Sequence, residues 1–219
     1  MAHLICGIDL GAFSVKFAFL DVGFRATTLR GFMETAVPAG DAPLIERQAE
    51  AVREGFAQAR EATPYFALPG DQLSVRVMQL PFADARKIDQ VVGYELEGQI
   101  VHALEDVVFD HLIVAQGADG STVLAAAAKR EDIAGLIAAA EAQGTHPRAI
   151  YAAPVVYRTL LPATASAEPE EGAAPPPCRL VLDLGHARTN VCIVRNGVTV
   201  YSRTILRGCL HLTQAVSMA

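Results

Sequence analysis

The chain has 219 residues, a net charge of -6 and a hydrophobic share of 52%, enough apolar material for a packed core and too much for wholesale disorder. The acidic balance, with no Lys/Arg stripe interleaved with aromatics, argues against nucleic acid as a partner. Four cysteines without a Cys-x-x-Cys argue against zinc and for a reducing cytoplasm, and no apolar run reaches the ~18 residues of a membrane span.

The N-terminus does not read as a signal peptide. Residues 3–36 read as three strands. Those over 3–10 and 14–22 flank Asp9-Leu10-Gly11, and one over 27–37 follows Gly23-Phe24-Arg25. Pro38-Ala39-Gly40-Asp41 breaks the pattern. From 43 to 62, Ile45, Ala49, Val52, Phe56 and Ala59 recur at steps of four and three, which predicts a helix entered at Pro43.

Alternation predicts a strand over 73–80, ended by Leu80-Pro81-Phe82. Asp84 is placed to cap a helix with Ile88, Val91, Val92, Leu96 and Ile100 on one side and Lys87, Asp89, Glu95 and Glu97 on the other. Strands over 107–115 and 122–128 pair across 116–121, and a helix over 129–143 stops at Gly144. The order strand, helix, strand, strand, helix over 72–144 predicts an α+β module of the split βαβ kind. Residues 148–161 return to the first unit as a short strand or turn and a helix.

Five prolines within 162–177 predict a flexible linker. Strands over 179–184, 191–194 and 198–205 follow, the last two joined by Asn196-Gly197, a strong hairpin turn. A final helix starts near Gly208 and runs to the last residue. Its abrupt stop predicts a second unit without its closing strands. The expected organisation is a first unit over 1–71 and 145–161, an inserted unit over 72–144, the linker over 162–177, and the start of a second unit over 178–219.

Two turns repeat one pattern. Gly7-Ile8-Asp9-Leu10-Gly11-Ala12-Phe13-Ser14-Val15-Lys16 and Leu182-Asp183-Leu184-Gly185-His186-Ala187-Arg188-Thr189-Asn190-Val191 each run apolar, then Asp-Leu-Gly, then polar, then apolar. They lie 174 positions apart (183 minus 9), which suggests two related halves facing one cleft. Gly11 and Gly185 would let a phosphate approach the backbone. Asp9 and Asp183 would hold Mg²⁺ through water, Ser14 and Thr189 would add hydroxyls, and Lys16 a point charge. The plainer reading is a pair of hairpins whose aspartates bond their own turns. Cys6 and Cys192 read as buried small apolar groups. His102, His111, His146 and His186 have no ligand spacing, Ala125–Ala128 reads as a tightly packed strand, and Phe82 and Tyr94 read as core residues before partner anchors.

Gly-Ile-Asp-Leu-Gly-x-x-Ser-Val-Lys resembles the first phosphate motif of the actin, sugar kinase and Hsp70 superfamily. Together with Leu80-Pro81-Phe82, Tyr94-Glu95-Leu96-Glu97-Gly98-Gln99-Ile100 and Leu104-Glu105-Asp106-Val107-Val108-Phe109-Asp110 it is most similar to the PilM/GspL group of type IV pilus and type II secretion proteins. The resemblance implies an α/β (α+β) actin-like, ribonuclease H-like fold with an FtsA/PilM-type insertion. It implies a non-catalytic scaffold at the cytoplasmic face of the inner membrane, contacting a GspE-like secretion or pilus ATPase and GspM/PilN-like platform proteins, with a homodimer left open. As cofactors it implies either ATP with Mg²⁺ or none. The competing readings are an ATPase or small-molecule kinase using Asp9 and Asp183 with Mg²⁺, and a generic α+β binding module. His186, Ala187 and Arg188 stand where ATP-using relatives carry small residues, Gly208-Cys209 replaces a Gly-Gly, and no residue stands out as a hydrolytic base. These departures favour the scaffold.

Overall fold

The computed structural model describes residues 3–57, 59, 61–161 and 178–218. The expected linker over 162–177 lies outside the described residues.

Three strands open the chain: β1 (His3–Leu10), β2 (Ser14–Val22) and β3 (Thr27–Ala36). Alternation sets their faces, so Cys6, Ile8, Leu10, Val15 and Phe17 are buried on one side. Helix α1 (Leu44–Phe56) lays Ala49, Val52 and Phe56 on that side. Gly55 is where α1 meets Phe17: a Cβ there would lie 2.4 Å from the Phe17 ring.

A strand absent from the sequence reading follows, β4 (Thr63–Leu68). It pairs parallel to β1, with Cys6 opposite Pro64, and parallel to β8 (Ala149–Ala152) on its other side. The first sheet therefore has the order β3-β2-β1-β4-β8. Pro64 hides β4 from a reading that bars proline from strand interiors.

Between β4 and β8 lies an insertion. A 3-10 turn, Gly70–Gln72, leads into β5 (Leu73–Leu80), α2 (Ala85–Glu97), β6 (Val107–Gly117), β7 (Gly120–Lys129) and α3 (Arg130–Ala142). Asp84 Oδ1 accepts from the Arg86 and Lys87 amides at 2.8 and 3.1 Å, so α2 is capped as its sequence predicts. The inserted sheet runs β5-β7-β6. The alanine run sits on its middle strand and serves two cores. Ala125 and Ala127 pack with Ile88, Val92 and Leu96 of α2, whereas Ala128 belongs to the core of the first sheet. Helix α3 also joins that first core, through Leu136 and Ala140. Element order groups α3 with the inserted sheet; it touches β7 of that sheet and also packs against α1. Phe82 packs against the inserted core, but Tyr94 is 74% exposed on α2 and is not a core residue.

After β8 come a short helix α4 (Ala153–Val156) and a 3-10 turn, Tyr157–Leu160. A second sheet, β11-β10-β9, is built from β9 (Cys178–Leu184), β10 (Thr189–Arg195) and β11 (Val198–Ile205). Asn196 and Gly197 both have positive φ, 53° and 73°, as their hairpin requires. Helix α5 (Cys209–Ser217) follows. Among the described residues, no helix is long and apolar enough to cross a membrane.

Candidate functional site

The two Asp-Leu-Gly turns do meet. Asp9, at the end of β1, and Asp183, at the end of β9, line one small cleft of about 70 Å³ with Gly11, Lys16, Gly185 and Arg188. The turns touch through a tilted ring pair, Phe13 on His186, with centroids 5.1 Å apart.

Each turn is braced from behind, by different means. Gln48, buried on the inner face of α1, donates from Nε2 to the carbonyls of Leu10 and Gly11 at 3.2 and 2.9 Å. The second turn rests on the start of α5. There the Cys209 and Leu210 amides donate to the carbonyls of Gly185 and His186, each at 2.9 Å. A Cβ on Gly208 would lie 2.4 Å from the Gly185 carbonyl oxygen, so only glycine allows this approach.

The side chains of the cleft largely satisfy one another. Tyr157 donates its hydroxyl to Asp183 Oδ2 at 2.6 Å. Asn190 Nδ2 donates to the same oxygen at 2.9 Å and to the Tyr157 hydroxyl at 3.0 Å, while Thr204 donates to Asn190 Oδ1 at 2.7 Å. Burial first, then the hydrogen bond and the charge of Asp183, push the Tyr157 phenol far above its ordinary range. Arg188, only 9% exposed, pairs through Nη1 with Asp71 Oδ1 in the 3-10 turn after β4.

Asp9 is the least committed group. Its side chain is 55% exposed and its cation, Lys16 Nζ, stands 4.0 Å away. The Asp9 carboxyl is raised above its usual range, mainly by desolvation in the cleft. Lys16 opposes this, the Asp183 charge adds to it, and Arg188 opposes it further. Ser14 donates to Glu34, Lys16 Nζ lies 3.5 Å from Ser14 Oγ, and Thr189 donates to the Arg207 carbonyl at 2.7 Å.

Of the seven residues singled out in the sequence, Asp9, Gly11, Ser14, Lys16, Asp183 and Gly185 line this cleft, whereas Thr189 does not and bonds Arg207 instead. Tyr157 and Asn190 also line the cleft, and Gln48 and Asp71 support it from outside. Of these, Asn190 stands in the second repeated turn without an assigned role, and the other three escaped the reading. Among those three, Gln48 alone left a trace, a polar residue within the apolar stripe of α1.

In this arrangement most polar side chains of the cleft other than Asp9 and Lys16 are committed to partners within the chain. The hydroxyls of Ser14 and Thr189 are engaged, the guanidinium of Arg188 is paired, and the first two amides of α5 are donated to the turn. Among the described residues, no group of three or more His, Cys, Asp or Glu is placed to hold a metal ion. Cys6 and Cys192 are fully buried, and burial raises both thiols, that of Cys6 to about 12.

The sequence matches the family described as type IV pilus assembly protein PilM over residues 7–219. No curated protein matches it. Among solved structures, a PilM–PilN type IV pilus biogenesis complex superposes with TM-score 0.79 at 22% identity, covering 98% of this chain and 65% of that one. The cytoplasmic domain of EpsL, an inner-membrane component of the Vibrio cholerae type II secretion system, superposes with TM-score 0.55 at 16% identity, covering 94% and 71%. A Bacteroides thetaiotaomicron protein with an actin-like ATPase fold and unknown function gives TM-score 0.52 at 7% identity, covering 98% and 77%. The fold is thus the actin-like one expected from the resemblance, and the chain spans about 65% of the length of the PilM relative. With 7–219 accounted for by one family, this chain belongs to the type IV pilus assembly protein PilM family.

Proposed function

We propose that the chain is a non-catalytic scaffold at the cytoplasmic face of a bacterial inner membrane. It links a platform protein of the PilN or GspM kind to the ATPase of a type IV pilus or type II secretion machine. The match to the PilM family over residues 7–219 carries this reading. It favours the pilus branch, and the PilM–PilN complex among similar structures supports a PilN-like partner. The hydrogen bonds that tie Asp183 to Tyr157 and Asn190, and the Arg188–Asp71 pair, support binding over catalysis.

The docking place in this reading is an apolar groove of about 410 Å³ between the inserted sheet and the β8–α4 segment. Leu73, Leu112, Ala126, Ile133, Ile150 and Val155 line it. Such a groove suits an extended segment carrying apolar anchors. The reading keeps an insertion that begins at residue 72. The packing of Leu136 and Ala140 favours counting α3 with the first unit.

The competing reading is an ATP-binding ATPase or kinase with Asp9, Gly11, Ser14, Lys16, Asp183, Gly185 and Thr189 around Mg-ATP. It is favoured by one observation, the facing of the two aspartates across a shared cleft. Calorimetric titration separates the two. The scaffold reading expects the cytoplasmic segment of the PilN-like protein from the same genome to bind the wild-type chain and not Ile150→Glu. Phosphate release from Mg-ATP that disappears in Asp9→Ala would overturn it.

A further inference from the structure

We infer that Asp71 is a built-in counter-anion for Arg188, so that a phosphate-bearing ligand reaches this guanidinium only by exchanging with Asp71. This goes beyond the scaffold reading and stands or falls independently of it.

Arg188 lies in the second turn among the residues that line the cleft, and its charge is felt at Asp9. A mostly buried guanidinium requires an anion, because a charge left unpaired there is strongly unfavourable. The chain supplies that anion itself, from Asp71. The carboxylate is not on the cleft's own hairpins. It is carried by the Gly70–Gln72 turn, where the first sheet passes into the insertion.

This turn is pressed into the second sheet. A Cβ on Gly70 would fall 2.0 Å from Thr204 Oγ1, 2.7 Å from Asn190 Oδ1 and 2.7 Å from Pro154 Cγ. The same Asn190 donates to Asp183 and Tyr157. The carboxylate that neutralises Arg188 and the network that binds Asp183 are therefore seated on one another. Drawing Arg188 toward an incoming phosphate breaks the pair with Asp71 and unloads the turn that seats Asn190. A carboxylate and a phosphate compete for one guanidinium in the same geometry, so the anion place at Arg188 is internally occupied.

The test compares the wild-type full chain with Asp71→Asn, which keeps the side chain's shape and removes its charge. Tripolyphosphate without metal is the probe, and Mg-ATP a second arm, each followed by calorimetry. Asp71→Asn should bind tripolyphosphate at least about tenfold more tightly than wild type, the scale of one lost charge competitor. Asp71→Asn combined with Arg188→Gln should lose the gain, and Asp71→Glu should restore exclusion. Equal affinity in wild type and Asp71→Asn overturns the inference, and so does absence of binding in both. Hydrogen exchange of the wild-type chain gives a second readout that needs no variant. Saturating tripolyphosphate should speed exchange at residues 70–72 and slow it at 185–188; no change at either segment also overturns it.

Discussion

Asp9 carries a testable imbalance. Its carboxyl titrates above its ordinary value of 3.8, chiefly through desolvation in the cleft. The folded chain therefore holds that proton more tightly than the unfolded chain does. The contribution of Asp9 to stability falls as pH rises from 3.8 through the raised folded value, and the penalty persists at neutral pH. Asp9→Asn should raise the unfolding temperature at neutral pH. The gain should be no more than about 1 kcal/mol, because a half-exposed side chain is well screened. It should shrink to nothing below 3.8, which thermal unfolding across a pH series would detect. A gain of equal size at every pH would mean that the substitution works by something other than charge.

At the scale of elements, α1 is more than an apolar prop. Gln48 sends two hydrogen bonds from the core side of the helix to the carbonyls that shape the first turn. Gln48→Leu keeps the volume but orphans both acceptors. Leaving buried polar groups unpaired costs about 1–3 kcal/mol, so urea unfolding should show a loss of that order, with faster amide exchange at 10–13. The same helix marks the limit of what the chain reveals before folding. Its apolar steps, the cap at Asp84, the Asn196-Gly197 hairpin and the paired Asp-Leu-Gly turns are local patterns, and each is legible. Strand β4 was hidden because Pro64 lacks an amide, which a reader takes as a break; in a parallel ladder the chain passes through it beside Cys6. Helix α3 was assigned by chain order to the inserted sheet, since order does not say which layer a helix will cover. Tyr157 and Asp71 reach the residues of the cleft through tertiary packing, and nothing within a few positions of either announces it, whereas Asn190 stands within the second repeated turn and only its bond to Asp183 was not legible.

Across the whole molecule, two apolar cores share a strand. Ala125 and Ala127 of β7 belong to one core and Ala128 to the other. Such sharing predicts a single cooperative transition rather than two. Leu96→Ala in the inserted core and Leu136→Ala in the first core should each cost about 2–5 kcal/mol. Both should displace the same denaturation curve when followed by far-ultraviolet circular dichroism and by tyrosine fluorescence. Separate transitions for the two variants would mean that the insertion folds on its own.

The contrast between side-chain bracing of one turn and main-chain bracing of its twin sets how each can age. A single codon change at Gln48 deletes the support of the first turn and leaves the chain otherwise intact. No codon change removes the amides of Cys209 and Leu210, short of a proline that would break into the helix start itself. Drift can therefore loosen the first turn by one substitution, whereas the second turn must be lost by refolding its flank.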